Sequence, residues 1–147
     1  MVVRVQEGAF DLGAEVETFA KGRTDAGAVV NFTGIVRDTA DNDLDRMEIE
    51  HYPAMTARAI EGIEAKAMAR WALKDSLIIH RFGVLKPGDM IMMVATASPH
   101  RVDAFEAAMY LMDYLKSRAP FWKKEYTKDG AVWVDAKAED EDALSKW

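Results

Sequence analysis

The run Met90–Ser98, MIMMVATAS, constrains the fold of this chain more than any other segment. A strand with one wet face alternates apolar and polar residues; this one does not, so both of its faces need cover. It predicts a central strand with further elements packed above and below it. The pattern then switches at once to helical spacing in SPHRVDAFEAAMYLMDYLKSR, residues 98–118. Ser98 is the expected N-cap and Pro99 the first helical residue. Val102, Phe105, Met109, Met112 and Leu115 form the stripe expected to be buried.

The remaining segments fit around that pair. Residues 2–6 read as a short strand. FDLGAEVETFAKG reads as a short helix with Asp11 as N-cap and Gly22 as its stop. GAVVNFTGIVRD, residues 27–38, is rich in β-branched residues, and Gly34 marks a bulge or a close approach. The acidic, turn-rich 38–45 reads as a mobile loop. RMEIEHY alternates as a strand and stops at Pro53. Residues 54–71 read as a helix with a core stripe of Met55, Ala59, Ile60, Ile63, Ala67 and Trp71. A strand is expected over 76–85 and a turn at KPGD. FWKKEYT and AVWVDA, joined by KDG, predict a terminal hairpin. The acidic tail reads as helical or loose. The expectation is a single α+β domain over 1–147, with an antiparallel or mixed sheet, two long helices and a C-terminal hairpin.

Composition narrows the function. The chain has 147 residues, a net charge of -6 and no cysteine. Disulfides, thiolate metal sites, a cysteine nucleophile and a sulfur carried on this chain are excluded. The acidic balance argues against general nucleic-acid binding, which needs a basic face. No apolar run approaches the roughly 20 residues of a membrane helix. The N-terminus has no signal-peptide pattern, so a cytoplasmic location is expected. No phosphate-loop, dinucleotide or zinc-protease motif is present.

Against that balance, YLKSRAPFWKKEY gathers Lys116, Arg118, Lys123 and Lys124 around Phe121 and Trp122. Cations in a last helical turn often only complement the helix dipole. That does not account for Lys123 and Lys124, which lie beyond the proline. Lys116 and Lys123 are placed to face one cavity, where each makes the other's ionisation costlier. A lysine so perturbed acts as acid, base or nucleophile. SPHR places His100 and Arg101 at a helix N-terminus, where anions bind. Arg37 follows a strand and precedes a loop, a usual place for a ligand-binding residue. His51 and His80 lie within strands and read as structural.

Four segments, GAVVNFTGIVRD, EIEHYPAMTARA, IIHRFGVLKPGD and SPHRVDAFEAAMYLMDYLKSRAPFWKKE, run in this order over about residues 27–126. Together they resemble the large, catalytic subunit of molybdopterin synthase, the MoaE family. The resemblance implies an α/β-hammerhead core. It implies conversion of cyclic pyranopterin monophosphate to molybdopterin, by installing two dithiolene sulfurs. It implies a small ubiquitin-like partner whose C-terminal Gly-Gly carries the sulfur as a thiocarboxylate, and a central homodimer within a heterotetramer. No cofactor or metal on this chain is expected.

Matched position by position, Lys116 and Lys123 fall on the family's catalytic lysines. Ile35, Val36, Arg37, His100, Arg101, Lys124 and Glu125 fall on substrate-contacting positions, with Lys116 and Lys123. Two rival expectations stand beside this one. One is a non-catalytic anion-binding or partner-docking module of the same fold. The other is a single-strand nucleic-acid binder stacking bases on Phe121 and Trp122.

Overall fold

The computed structural model describes residues 1–135 and 137–147. In chain order the elements are β1 (Val2–Gln6), α1 (Leu12–Ala20), β2 (Ala28–Ile35), β3 (Arg46–His51), α2 (Pro53–Arg70), β4 (Asp75–Arg81), β5 (Gly83–Leu85), β6 (Met90–Ser98), α3 (Arg101–Arg118), β7 (Phe121–Thr127), β8 (Gly130–Trp133) and α4 (Ala138–Ala143). The strands form two four-stranded sheets, ordered β1-β4-β6-β2 and β5-β3-β7-β8. The first is mixed, since β1 runs parallel to β4 while β4, β6 and β2 alternate in direction. The second is antiparallel throughout. The fold is α+β.

β6 is the covered strand that its sequence demands: Ile91 to Ser98 are all buried. One face meets α1 in a cluster of Phe19, Leu77, Ile79, Met93, Ala95 and Ala97. The other face, with Met92 and Val94, joins the larger core, where Ile60, Ile63, Ala67, Leu111 and Leu115 come from α2 and α3. That core also contains Met47, Ile49 and Leu85 of the second sheet, so the two sheets share one interior.

Three expectations are corrected. The strand expected over 76–85 is two strands, because Gly83 adopts φ +87° and the chain passes from the first sheet to the second. α3 begins at Arg101 with His100 as N-cap, so Ser98 and Pro99 lie before the helix. Ser98 instead ends β6 fully buried, and its carbonyl accepts from the Gly27 amide at 3.0 Å. A Cβ on Gly27 would stand 2.5 Å from the Pro99 carbonyl oxygen, so the approach of these segments requires glycine.

The third correction concerns the helix faces. Val102, Phe105 and Met109 are 58%, 61% and 52% exposed. α3 buries Ala104, Ala107, Ala108, Tyr110 and Leu111 instead, together with Leu115 of the expected stripe, since alanines let the helix axis lie close to β6 and β2. In α2, Met55 is exposed and Ala59 only partly buried, whereas Thr56 and Glu64 join Ile60, Ile63 and Ala67 inside. Asp11 caps α1 as expected, accepting from the Ala14 amide at 3.0 Å.

Candidate active site

α3 carries Lys116 in its last turn and stops at Arg118. Pro120 disfavours helix at the residue before it, and Ala119 is extended at φ -74°, ψ 134°. The Phe121 amide donates to the Ala119 carbonyl at 2.8 Å, and β7 leaves from this reversal. On β7, Lys123 stands opposite Ile49 of β3, flanked by Phe121 opposite His51 and Glu125 opposite Met47. Strand side chains alternate, so these three share the face that looks toward buried Met47 and Ile49.

Lys123 is therefore a cation on an apolar face. Burial holds its ammonium below the usual lysine range, and the positive charge of Lys116 pushes it lower still. Asp140 pulls in the opposite direction, with a smaller contribution from Glu125. The influence of Lys116 places both lysines in one neighbourhood, at the junction of α3 and β7. Phe121 is fixed beside them by a flat stack on His80, with centroids 3.7 Å apart and planes inclined by 13°. His80 lies 2.7 Å from the Arg81 carbonyl through Nδ1, and burial lowers its pKa to about 3. It is neutral at physiological pH and supports the aromatic without adding charge.

The other candidates separate by position. Val36 is buried, its amide donates to the Asp89 carbonyl and its carbonyl accepts from Gly88, both at 2.8 Å. It has no free polar group for a ligand and acts as the anchor that turns exposed Ile35 and Arg37 outward. β2 pairs with β6 so that Ile35 meets Met90 and Ala28 meets Ser98. α3 starts beyond Ser98 and runs back along these strands, which brings its C-terminal end, with Lys116, toward the Arg37 end.

His100 and Arg101 lie at the opposite end of α3, about 22–24 Å from Lys116 along the helix axis at 1.5 Å per residue. They cannot join Lys116 around one small molecule within a single chain. Lys124 points to the outer face of its sheet, with Nζ 5.2 Å from the Trp133 ring centre and 5.5 Å from that of Tyr126. It does not share a face with Lys123. Arg118, part of the same cationic run, is paired with Glu141 at 2.5 Å.

The MoaE family model matches residues 5–118. The chain belongs to the MoaE family. It is 60% identical to the molybdopterin synthase catalytic subunit of Cereibacter sphaeroides over 147 residues, all of both chains. The solved structure of the molybdopterin biosynthesis MoaE protein from Burkholderia ambifaria is 49% identical, with a TM-score of 0.85, covering 99% of this chain and 97% of that one. A chain from the complex of subunits 1 and 2 of molybdopterin-converting factor from Helicobacter pylori shares the fold at 19% identity. Its TM-score is 0.79, over 93% of this chain and 92% of that one.

One part of the candidate site of this MoaE-family chain was not legible as such in its sequence. The tail folds back over the end of α3, where Ser117 Oγ donates to the Asp140 carbonyl at 3.0 Å. That contact brings the acidic AEDEDA segment to the lysines. The only signal for it was charge complementarity between four acids and a cationic run. Among the described residues no helix is long and apolar enough to cross a membrane.

Proposed function

We propose that this chain is the catalytic subunit of a molybdopterin synthase, converting cyclic pyranopterin monophosphate to molybdopterin with sulfur from a thiocarboxylated small subunit. The observation that carries the proposal is the half-buried Lys123 held below the usual lysine range beside Lys116. Both reactants are anions, one a phosphate and one a thiocarboxylate. A protein without cysteine receives its sulfur from outside, on a carrier. The carrier's sulfur bonds to a substrate carbon as a carbon–oxygen bond there breaks, releasing the cyclic phosphate ester oxygen at one carbon and an oxygen as water at the other. A further water then cleaves the acyl carbon–sulfur bond. The sulfur stays on the substrate and the tail leaves as a carboxylate; a second carrier repeats the step. The reading assigns no resident cofactor or metal to the chain.

Lys116, exposed at the helix end, is assigned as the acid and base for these steps, or as the amine that holds the tail carbonyl. Lys123 offsets the negative charge that develops as the cyclic phosphate opens and an oxygen leaves. Arg37, beside Ile35, holds phosphate at the same end of the sheet. His100 and Arg101 are too distant to act within their own chain. The exposed stripe of Val102, Phe105 and Met109 follows them directly on α3. We infer that a second copy covers this stripe and presents its own His100 and Arg101 to the substrate.

Reconstitution with cyclic pyranopterin monophosphate and thiocarboxylated carrier tests the assignment. Lys116→Ala and Lys123→Ala are each expected to lower turnover at least about 100-fold while carrier binding persists. Carrier binding by the wild type without product would leave a docking module and overturn the enzymatic reading.

A further inference from the structure

Away from the lysines, the outer face of the β5-β3-β7-β8 sheet carries a ladder of acids, cations and aromatics. The Arg46 guanidinium lies over the Tyr126 ring at 3.7 Å. Glu48 closes that rung, accepting from Arg46 Nε at 3.4 Å and from the Tyr126 hydroxyl at 3.0 Å. Lys124, opposite Glu48, supplies a second cation, shared between Tyr126 and Trp133. The next rung pairs Glu50 with Trp122. It repeats the acid and the aromatic but has no cation, and Glu50 makes no ion pair among the described residues.

Around Glu50 there is room for one. Glu50, His51, Tyr52, Trp122 and Trp133 line a cleft of about 420 Å³. Tyr52 and Trp122 meet edge to face with centroids 4.8 Å apart. Tyr52, Trp122 and Trp133 remain 58%, 44% and 46% exposed.

We propose that this cleft seats a lysine or arginine side chain of a protein partner, and that the partner is the folded body of the small sulfur carrier. The proposal rests on the functional reading above. Indole and phenol faces attract a cation, and a carboxylate at their rim adds an ion pair. An anion is repelled by Glu50, and an apolar side chain leaves that carboxylate unpaired. The cleft is open on one side, so its occupant brings its own cover, as a side chain on a folded surface does.

Its position suits a carrier. Trp122 and Lys123 are successive residues on opposite faces of β7. A tail that rounds the β8 edge of the sheet, at about 3.3–3.6 Å per extended residue, passes from the face of the cleft to the face of Lys123. A body anchored at the cleft is within tail reach of Lys116.

The test is calorimetric titration of the full-length chain with purified small subunit, in the wild type and in Glu50→Gln, Glu50→Lys and Trp133→Ala. Each is expected to raise Kd by on the order of tenfold, Glu50→Lys more than Glu50→Gln. Trp133→Phe should recover part of the loss. Turnover at saturating carrier should stay at the wild-type value while KM for the carrier rises. Unchanged Kd in Glu50→Gln and Trp133→Ala, with native circular dichroism, overturns the proposal. The two readings fail separately. A wild type that binds carrier but forms no product sinks the enzymatic reading, whereas product formation with an unmoved Kd sinks the cleft alone.

Discussion

Lys123 sits where an ammonium is least favourably charged, and the neighbour that adds to this is a second lysine. Replacing Lys116 removes the second-largest cause of the shift. Lys116→Ala should therefore move the Lys123 pKa upward, toward the ordinary lysine range. An NMR titration of the lysine Cε resonances reads this directly; an unmoved or lowered value would show that the two do not share a neighbourhood. Glu64 of α2 presents the opposite case, a carboxyl whose ionisation burial delays to near neutral pH. It is 0% exposed, accepts from Ser76 Oγ at 2.5 Å through Oε2, and leaves Oε1 without a partner among the described residues. Burial raises its pKa from 4.5 to about 7, with the Ser76 hydrogen bond opposing. Because the folded state holds this proton more tightly, the stabilisation is full below the unfolded pKa near 4.5 and is lost as pH rises through about 7. The loss is up to about 3 kcal/mol at 1.36 kcal/mol per unit. Urea unfolding of the wild type at pH 5 and pH 8 should show it, and Glu64→Gln should flatten that difference.

Elements were legible where a local pattern decided them. β6 announced its own burial, Asp11 announced a cap, and the KDG turn announced the β7–β8 hairpin. The failures have tertiary causes. On α3 two apolar faces competed, and the larger residues suggested the wrong one. Close helix–sheet packing selected the alanine face, which hydrophobicity alone ranks below Phe105 and Met109. Within residues 76–85 nothing apolar marks the change of sheet; a single backbone torsion does. Gly83 holds φ +87°, and an added Cβ would meet Glu7 Cγ at 3.1 Å. Gly83→Ala should cost about 1–2 kcal/mol from the left-handed conformation alone. Denaturant midpoints measure it; a loss confined to a few tenths would mean that β4 and β5 can join without that torsion.

At the scale of the whole molecule, the sequence placed nine residues in one candidate site, but a single chain cannot assemble them. The resemblance is blind to distance, and the helix that separates Arg101 from Lys116 is rigid. Lys124 turns away because strand alternation sends it to the outer face, and Val36, just past the end of β2, is buried where its backbone pairs with Gly88 and Asp89. What remains on one chain is Ile35, Arg37, Lys116, Lys123 and Glu125 at one end, and His100 and Arg101 at the other. A twofold pair resolves this only if each site takes its lysines from one chain and its Arg101 from the other. Lys116→Ala and Arg101→Ala would then each inactivate a homodimer. When the two variants are unfolded together and refolded in equal amounts, half of the dimers are mixed, and each mixed dimer holds one site with both residues intact. Activity should return to about a quarter of wild type by this symmetry. Phe105→Lys, which charges the exposed stripe, should leave the chains monomeric in sedimentation and abolish the recovery. Mixed refolding that yields no activity beyond that of the separate variants would place Lys116 and Arg101 in different sites.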